Sequence, residues 1–519
     1  MSLTRKAALE AIGEGRQWDV LVLGGGATGL GAAVEAASRG YRTLLIEKHD
    51  FAKGTSSRST KLVHGGVRYL EQMNITLVLD ALRERGYMLR NAPHIVHRLD
   101  FVVPVYTWFG LPYYGIGLKV YEWLSGKLSF GPSKILSVKE TLAHLPTIKQ
   151  EGLKGGILYR DGQFDDARYA ISLLRTLEDL GGFAINYVGA TGLIQQNGET
   201  VGVYSIDSET GQPMEILAKV VINATGSFTE EVMRMDEPGE GSLLTISQGT
   251  HFVLDRKYLP SANALMIPKT SDGRVLFAIP WHDHLVVGTT DEAVPTASLE
   301  PHALLKEREF LIDHIHRFLG ATLEPTDVLS MWSGLRPLVR EGSGSSSKLS
   351  RDHKVLISKS GLITVTGGKW TTYRRMGEDA INKAATQGGL AASPSRTSNL
   401  PLHGAIAADA VASLPESDRV YGSDLAALNA IDAPDERLHP ELPYRAHEVL
   451  WAARYEMARS VEDVLARRTR ALFLNARAAQ WMAPKVAAIL AQELGRDEAW
   501  QQQQVRSFEA IANGYIYNG

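Results

Sequence analysis

The 519-residue chain contains no cysteine. Disulfide staples, thiolate nucleophiles, iron–sulfur clusters and cysteinyl-linked cofactors are therefore excluded. It has no apolar run approaching the ~20 residues needed to span a bilayer. It has no strong charge excess either: 55 basic and 58 acidic side chains leave a net −3. Nothing global attracts nucleic acid, so any affinity for anions must be built locally. Residues 1–18 lack the apolar core of a signal peptide, and Glu10 and Glu14 argue against a transit peptide. A short amphipathic lead-in helix is expected there. With 44% hydrophobic and 22% charged residues the composition is that of an ordinary globular protein. The length implies about two to four domains.

What is present begins at residues 19–23 (DVLVL), a nearly continuous apolar run suited to a parallel strand buried on both faces. An alanine-rich stretch at 31–40 suits a helix packed on a sheet, and 41–47 (YRTLLIE) a second buried strand. Between the first strand and the helix stands Gly24-Gly25-Gly26-Ala27-Thr28-Gly29. Gly24 would make the tight turn, Gly26 admit a pyrophosphate to the backbone, and Gly29 allow close helix–strand contact. The phosphates would rest at the helix N-terminus. Glu47 follows at the ~20-residue spacing of the carboxylate that bonds ribose hydroxyls and repels a 2′-phosphate.

These features specify a dinucleotide; later ones favour FAD over NAD. Ala224-Thr225-Gly226 follows an expected strand at 220–224. Gly367-Gly368-Lys369, continuing into Trp370 and Thr371, follows another at 362–366. Such repeated returns of small residues suit an FAD fold. The run 53–69 (KGTSSRSTKLVHGGVRY) offers Thr55, Ser56 and Ser57 to phosphate or flavin oxygens, and His64, Gly65 and Gly66 to a flat ring.

The expected domains follow from these returns. Segments 1–100, 191–235 and 346–390 build the FAD domain. Residues 101–190 supply a mixed segment with a substrate cap, and 236–345 a strand-rich substrate domain. A serine-rich loop at 341–348 reads as flexible, 391–404 as a linker, and 405–519 as a helical C-terminal domain.

Isolated cations beside glycine-rich or apolar sequence (Arg68, Arg336, Arg351 and Lys369) would together select a small dianion such as a phosphate ester. His251, at a strand start, is a candidate base for taking a hydroxyl proton during hydride transfer. Residues 104–128 concentrate Trp108, Phe109, Tyr113, Tyr114, Tyr121 and Trp123 with Lys119 and Lys127. This composition fits either a membrane headgroup boundary or a helix pair or oligomer contact.

The combination of GTSSRSTKLVHGGVRYL with DGQFDDAR, VINATGSFTE, WSGLRPLV, SRDH, TVTGGKWTTYR and EVLWAARYEMARSVEDVLARRTR closely resembles the FAD-dependent respiratory glycerol-3-phosphate dehydrogenases. The resemblance implies an α/β fold like that of D-amino-acid oxidase: an FAD-binding Rossmann-like domain interleaved with a mixed β-sheet substrate domain, plus a C-terminal helical domain. It implies oxidation of sn-glycerol 3-phosphate to dihydroxyacetone phosphate, with electrons passing to a membrane quinone. It places Arg68, Tyr69, His251, Arg336, Arg351 and Lys369 around substrate, Arg336 and Arg351 on the phosphate and Arg68 and Lys369 nearer the reacting carbon. His251 is the preferred base and Arg336 the alternative.

A peripheral homodimer on the cytoplasmic face of a bacterial inner membrane is expected, since the calcium-binding loops of mitochondrial members are not found. Two readings stay open: an oxidase of the same fold using oxygen, and a different hydroxy- or amino-acid substrate. A nucleic-acid-binding flavoprotein is disfavoured by the charge balance.

Overall fold

The computed structural model describes residues 5–66, 75–125, 130–239, 242–270, 273–340 and 352–519. Arg68, Tyr69, Lys127, Arg351 and the loop at 341–348 lie outside the described residues. The chain opens with α1 (Arg5–Gly13), the expected lead-in helix, then β1 (Trp18–Leu23), α2 (Ala27–Ser38) and β2 (Thr43–Ile46). Next come α3 (Ile75–Asn91), β3 (Val96–Val105), α4 (Gly110–Ser125), β4 (Gly155–Phe164) and α5 (Asp166–Asp179). The middle contributes β5 (Pro213–Asn223), β6 (Leu244–Asp255), β7 (His284–Gly288), β8 (Val328–Val339) and β9 (Ile363–Gly367). The chain ends in helices: α6 (Tyr373–Gln387), α7 (Ala446–Tyr455), α8 (Ala476–Leu494) and α9 (Glu498–Asn513).

The strand order β9–β5–β1–β2 forms the parallel centre of the first sheet. Its apolar runs are continuous because both faces are covered. Val20 and Val22 point into a core shared with α2 and α6, while Leu21 and Leu23 point into another closed by Ala8, Ala11 and Ile12 of α1. The register sets Leu23 beside both Ile46 and Asn223. The carboxyl ends of these strands therefore meet on one edge, where an open parallel sheet binds its ligand. α2 and α6 cross closely above: a Cβ on Gly377 would come within 2.7 Å of Gly31 backbone.

The second sheet is mixed and larger. β3 and β4 pair antiparallel from Val96↔Phe164 to Val105↔Gly155. Short strands connect them to β7, β6 and β8. The C-terminal helices lie on this sheet. Trp332, Phe101 and Val286 of the sheet share one core with Phe473, Met482, Val486 and Phe508. The apolar faces of these helices are covered partly by one another and partly by strands of this sheet. The stretch 391–404 is tied down along its length. Tyr41 donates to the Ala391 carbonyl at 2.6 Å, Thr397 to Glu35, and the Leu402 amide to the Asn91 carbonyl at 2.8 Å.

Candidate active site

The edge where the strands converge opens into an elongated cleft. Its floor is the turn after β1. Gly24 adopts φ +107°, and a Cβ there would sit 2.7 Å from the Ala224 carbonyl oxygen. A Cβ on Gly29 would collide with the Gly24 carbonyl oxygen. Gly24, Gly26, Glu47, Thr55, Ser56, Ala224, Thr225, Gly226, Gly367, Gly368, Lys369 and Trp370 all line the cleft. Sequence reasoning placed each of these at a cofactor.

Glu47 accepts the amides of Gly25 at 2.6 Å and His49 at 2.8 Å. Burial raises its pKa, and those two N–H groups oppose the rise. Ser56 Oγ accepts the Ala27 amide at 2.9 Å, the Ser56 carbonyl accepts Trp370 Nε1 at 2.9 Å, and Thr55 Oγ1 donates to the Leu335 carbonyl at 2.7 Å. The turn at Thr55 and Ser56 is thus fastened to α2, to β8 and to the turn before α6. Gly367 and Gly368 both lie in the left-handed region (φ +77° and +75°), where a side chain would be strained.

Other nominated residues sit behind this surface. Ser57 is buried, and its carbonyl accepts Lys61 Nζ at 2.7 Å and Arg470 Nη2 at 2.9 Å. Thr371 is buried in the middle of the turn Trp370–Thr372 before α6. Gly29 packs the helix onto the strand. Gly65 donates its amide to Tyr121 at 2.8 Å beneath α4; His64 and Gly66 flank it. None of these lines the cleft among the described residues.

His251 and Arg336 come together on the second sheet. β6 and β8 pair Ser247↔Arg336, Gly249↔Gly334 and His251↔Trp332, so one face carries both residues with a glycine gap between them. Arg336 lies over Gly249, whose missing side chain makes the room, and donates to Thr289 Oγ1 at 3.1 Å and the Thr290 carbonyl at 3.3 Å. It also pairs with Asp291 at 3.6 Å. The His251 ring stacks on Trp332 at 4.0 Å, and its Nε2 stands 3.0 Å from Thr60 Oγ1. Burial, then the charges of Lys61 and Arg336, push its pKa well below the ordinary histidine value. It is a neutral imidazole at physiological pH. Leu335 and Pro337, the neighbours of Arg336, line the cleft.

An FAD-dependent oxidoreductase model matches residues 19–374, and one described as the C-terminal domain of alpha-glycerophosphate oxidase matches 395–501. The mitochondrial glycerol-3-phosphate dehydrogenase of Homo sapiens is 37% identical over 554 residues, covering 99% of this chain and 76% of the relative. Its Arabidopsis thaliana counterpart is 37% identical over 549 residues, covering 97% and 87%. Among solved structures, the glycerol-3-phosphate dehydrogenase from Bacillus halodurans complexed with FAD superposes with a TM-score of 0.80 at 28% identity, covering 99% of this chain and 98% of that one. The chain belongs to the FAD-dependent glycerol-3-phosphate dehydrogenase family. The L-alpha-glycerophosphate oxidase of Mycoplasma pneumoniae, at 15% identity and TM-score 0.58, shares the fold.

The cleft fits the family's cofactor. Glycines clear the backbone at Gly24 and Gly26, a helix N-terminus faces the turn, and a carboxylate stands beside it. Sequence reasoning does not single out two cations of the cleft wall. Lys53 and Arg58 are cleft-lining cations, yet each is committed to an acid: Lys53 to Glu462 at 2.5 Å and Arg58 to Glu300 at 2.6 Å. Asp166, from the DGQFDDAR run, pairs with buried Lys61 at 2.7 Å and Arg470 at 3.1 Å. Asp161 pairs with Arg85 at 2.8 Å. That run anchors its neighbours rather than facing the cleft. Its aspartates in quick succession, recurring before a helix, were the available signal.

Proposed function

We propose that this protein oxidises sn-glycerol 3-phosphate to dihydroxyacetone phosphate and passes the electrons to a membrane quinone. The observation that carries the reading is the pairing of an FAD-type cleft with His251 and Arg336 on the adjoining sheet face. When bound, FAD supplies the hydride acceptor. His251, held neutral by burial and flanking cations, takes the C2 hydroxyl proton onto its imidazole, while Thr60 at Nε2 fixes the ring. Arg336 is the weaker base, because a guanidinium donating to Thr289 and Thr290 and paired with Asp291 keeps its charge. It serves the phosphate instead, together with Arg351, while Lys369, which lines the cleft, and Arg68 act nearer the reacting carbon and Tyr69 completes the substrate set. Glu47 holds a ribose hydroxyl.

The test is the absorption spectrum of purified protein under anaerobic conditions. Bleaching of the flavin band by glycerol 3-phosphate, and not by lactate or amino acids, is expected; the reverse would refute the substrate. Reoxidation by a soluble quinone analogue should outpace reoxidation by oxygen, and fast reaction with oxygen would make the protein an oxidase.

The membrane reading rests on α4 and its approach. Trp108, Phe109, Ile116 and Trp123 are 69%, 89%, 67% and 79% exposed, with Lys154 over Trp108 at 5.0 Å. No helix among the described residues is long and apolar enough to cross a membrane. Exposed aromatics with lysines suit a surface that rests in headgroups, here the cytoplasmic face of a bacterial inner membrane. Flotation with anionic vesicles should fall when Phe109 and Trp123 are changed to serine. A homodimer, the remaining part of the proposal, is checked by sedimentation in detergent.

A further inference from the structure

Residues 295–301 leave the strand Glu292–Val294 of the second sheet and run to the helix Leu305–Leu319. Both ends are anchored. Glu292 is paired with Arg274 at 2.7 Å and Lys306 at 2.5 Å, and the His302 carbonyl accepts Gln248 Nε2 at 2.8 Å. Between the anchors, 295–301 makes no backbone–backbone hydrogen bond among the described residues. Ser298, Leu299 and Pro301 nevertheless line the cofactor cleft, across from Lys53, Gly54 and Arg58.

The residue between them, Glu300, points to the cations of that loop. Its Oε2 accepts Arg58 Nη2 at 2.6 Å, and its Oε1 is 3.6 Å from Lys53 Nζ. The receiving side is rigid. Arg58 is buried, donates to the Lys53 carbonyl, and donates to Tyr515 at 3.0 Å from beyond the last helix. Lys53 is held in turn by Glu462.

We propose that residues 298–301 form a strap, delivered by the second sheet and pinned by Glu300 to Lys53 and Arg58, that retains the cofactor in its cleft. A segment without ladder bonds opens at little cost, so its closed position depends on the pin. The pin is a charge-assisted contact to a buried guanidinium, stronger than a neutral hydrogen bond. The strap rests on FAD being the cofactor. A protein that takes up no FAD fails that premise, whereas a flavin-loaded protein whose release rate ignores the pin fails the strap alone.

The experiment follows FAD release from diluted holoenzyme by the rise in free flavin fluorescence. Glu300→Gln should release FAD about tenfold faster or more. Leu299→Ala, which trims the strap without touching a buried charge, should also release faster. Glu292→Gln, which leaves the pin intact and keeps the ladder pairing of its strand to β6, should match wild type. Release from Glu300→Gln within twofold of wild type, or equal acceleration in Glu292→Gln, overturns the proposal. If Glu300→Gln does not fold, Leu299→Ala decides, and a wild-type rate there overturns it.

Discussion

The cofactor cleft and the seam beneath the C-terminal helices are built from opposite materials. The cleft is made of absences: Gly24 and Gly368 on its wall, and Gly29 in the helix behind it, each hold a place where a Cβ would strike neighbouring atoms. The seam is made of charges. Asp50 receives Arg467 at 2.5 Å and Arg468 at 2.7 Å, Arg168 and Glu456 pair at 2.8 Å, and Lys61 and Arg470 share Asp166, all buried. Two segments that mark the family, DGQFDDAR and the run from Glu448 to Arg470, are in part each other's partners: Arg168 meets Glu456 and Asp166 meets Arg470. A steric cradle tolerates almost no replacement. An ion-pair seam tolerates a well-packed apolar one but not the loss of a single partner.

Cradle and seam should answer differently to substitution. Gly29→Ala should have the largest effect, because its Cβ has nowhere to go; flavin per protein in the purified variant should fall to less than about a tenth of wild type. His251→Ala should keep its flavin and lose about 10²–10⁴ in the rate of flavin reduction by substrate. Asp50→Asn leaves two guanidinium groups short of their carboxylate and should cost ~3–5 kcal/mol of stability, read from denaturant unfolding, while flavin content at room temperature stays near wild type.

The seam should also fail in acid. Burial would raise the Glu462 carboxyl, but Arg467 and Lys53 outweigh it and hold the group at about 2. Its stabilisation is present above the ordinary glutamate range and is lost as pH falls toward 2. The smallest effect is alkaline. His403 sits between Asp179 at 2.7 Å and Asp424 at 2.9 Å. Burial alone would lower it, yet those carboxylates raise it to about 9. Its contribution is complete below pH 6.5 and lost as pH rises through 9. His403→Gln should therefore lower the melting temperature at pH 6 and leave it unchanged at pH 10.

The sequence is most legible where chemistry is set by the backbone. The glycine turn, its strand and helix, Glu47 and the later glycine returns could be read because only certain residue types suit those positions. Pairings between distant side chains are not legible in this way. That His251 and Arg336 share a face depends on the register Gly249↔Gly334. That Lys53 and Arg58 serve acids rather than phosphates depends on Glu462 and Glu300, which nothing local in the sequence connects to them. Periodicity shows that α8 has an apolar face; it does not show that Trp332 and its strand cover it.

The parallel order β9–β5–β1–β2 carries a consequence for how the molecule is made. The glycine turn emerges early in synthesis, but its neighbours Ala224 and Gly367 arrive only after β5 and β9 have been translated, and the helix that closes over α2 is later still. A ribosome-bound chain stopped before Ala224 exposes the turn without its walls. Cofactor loading is therefore a late event in the life of the chain, and the aspartates and arginines of the seam must wait for one another with their charges still in water.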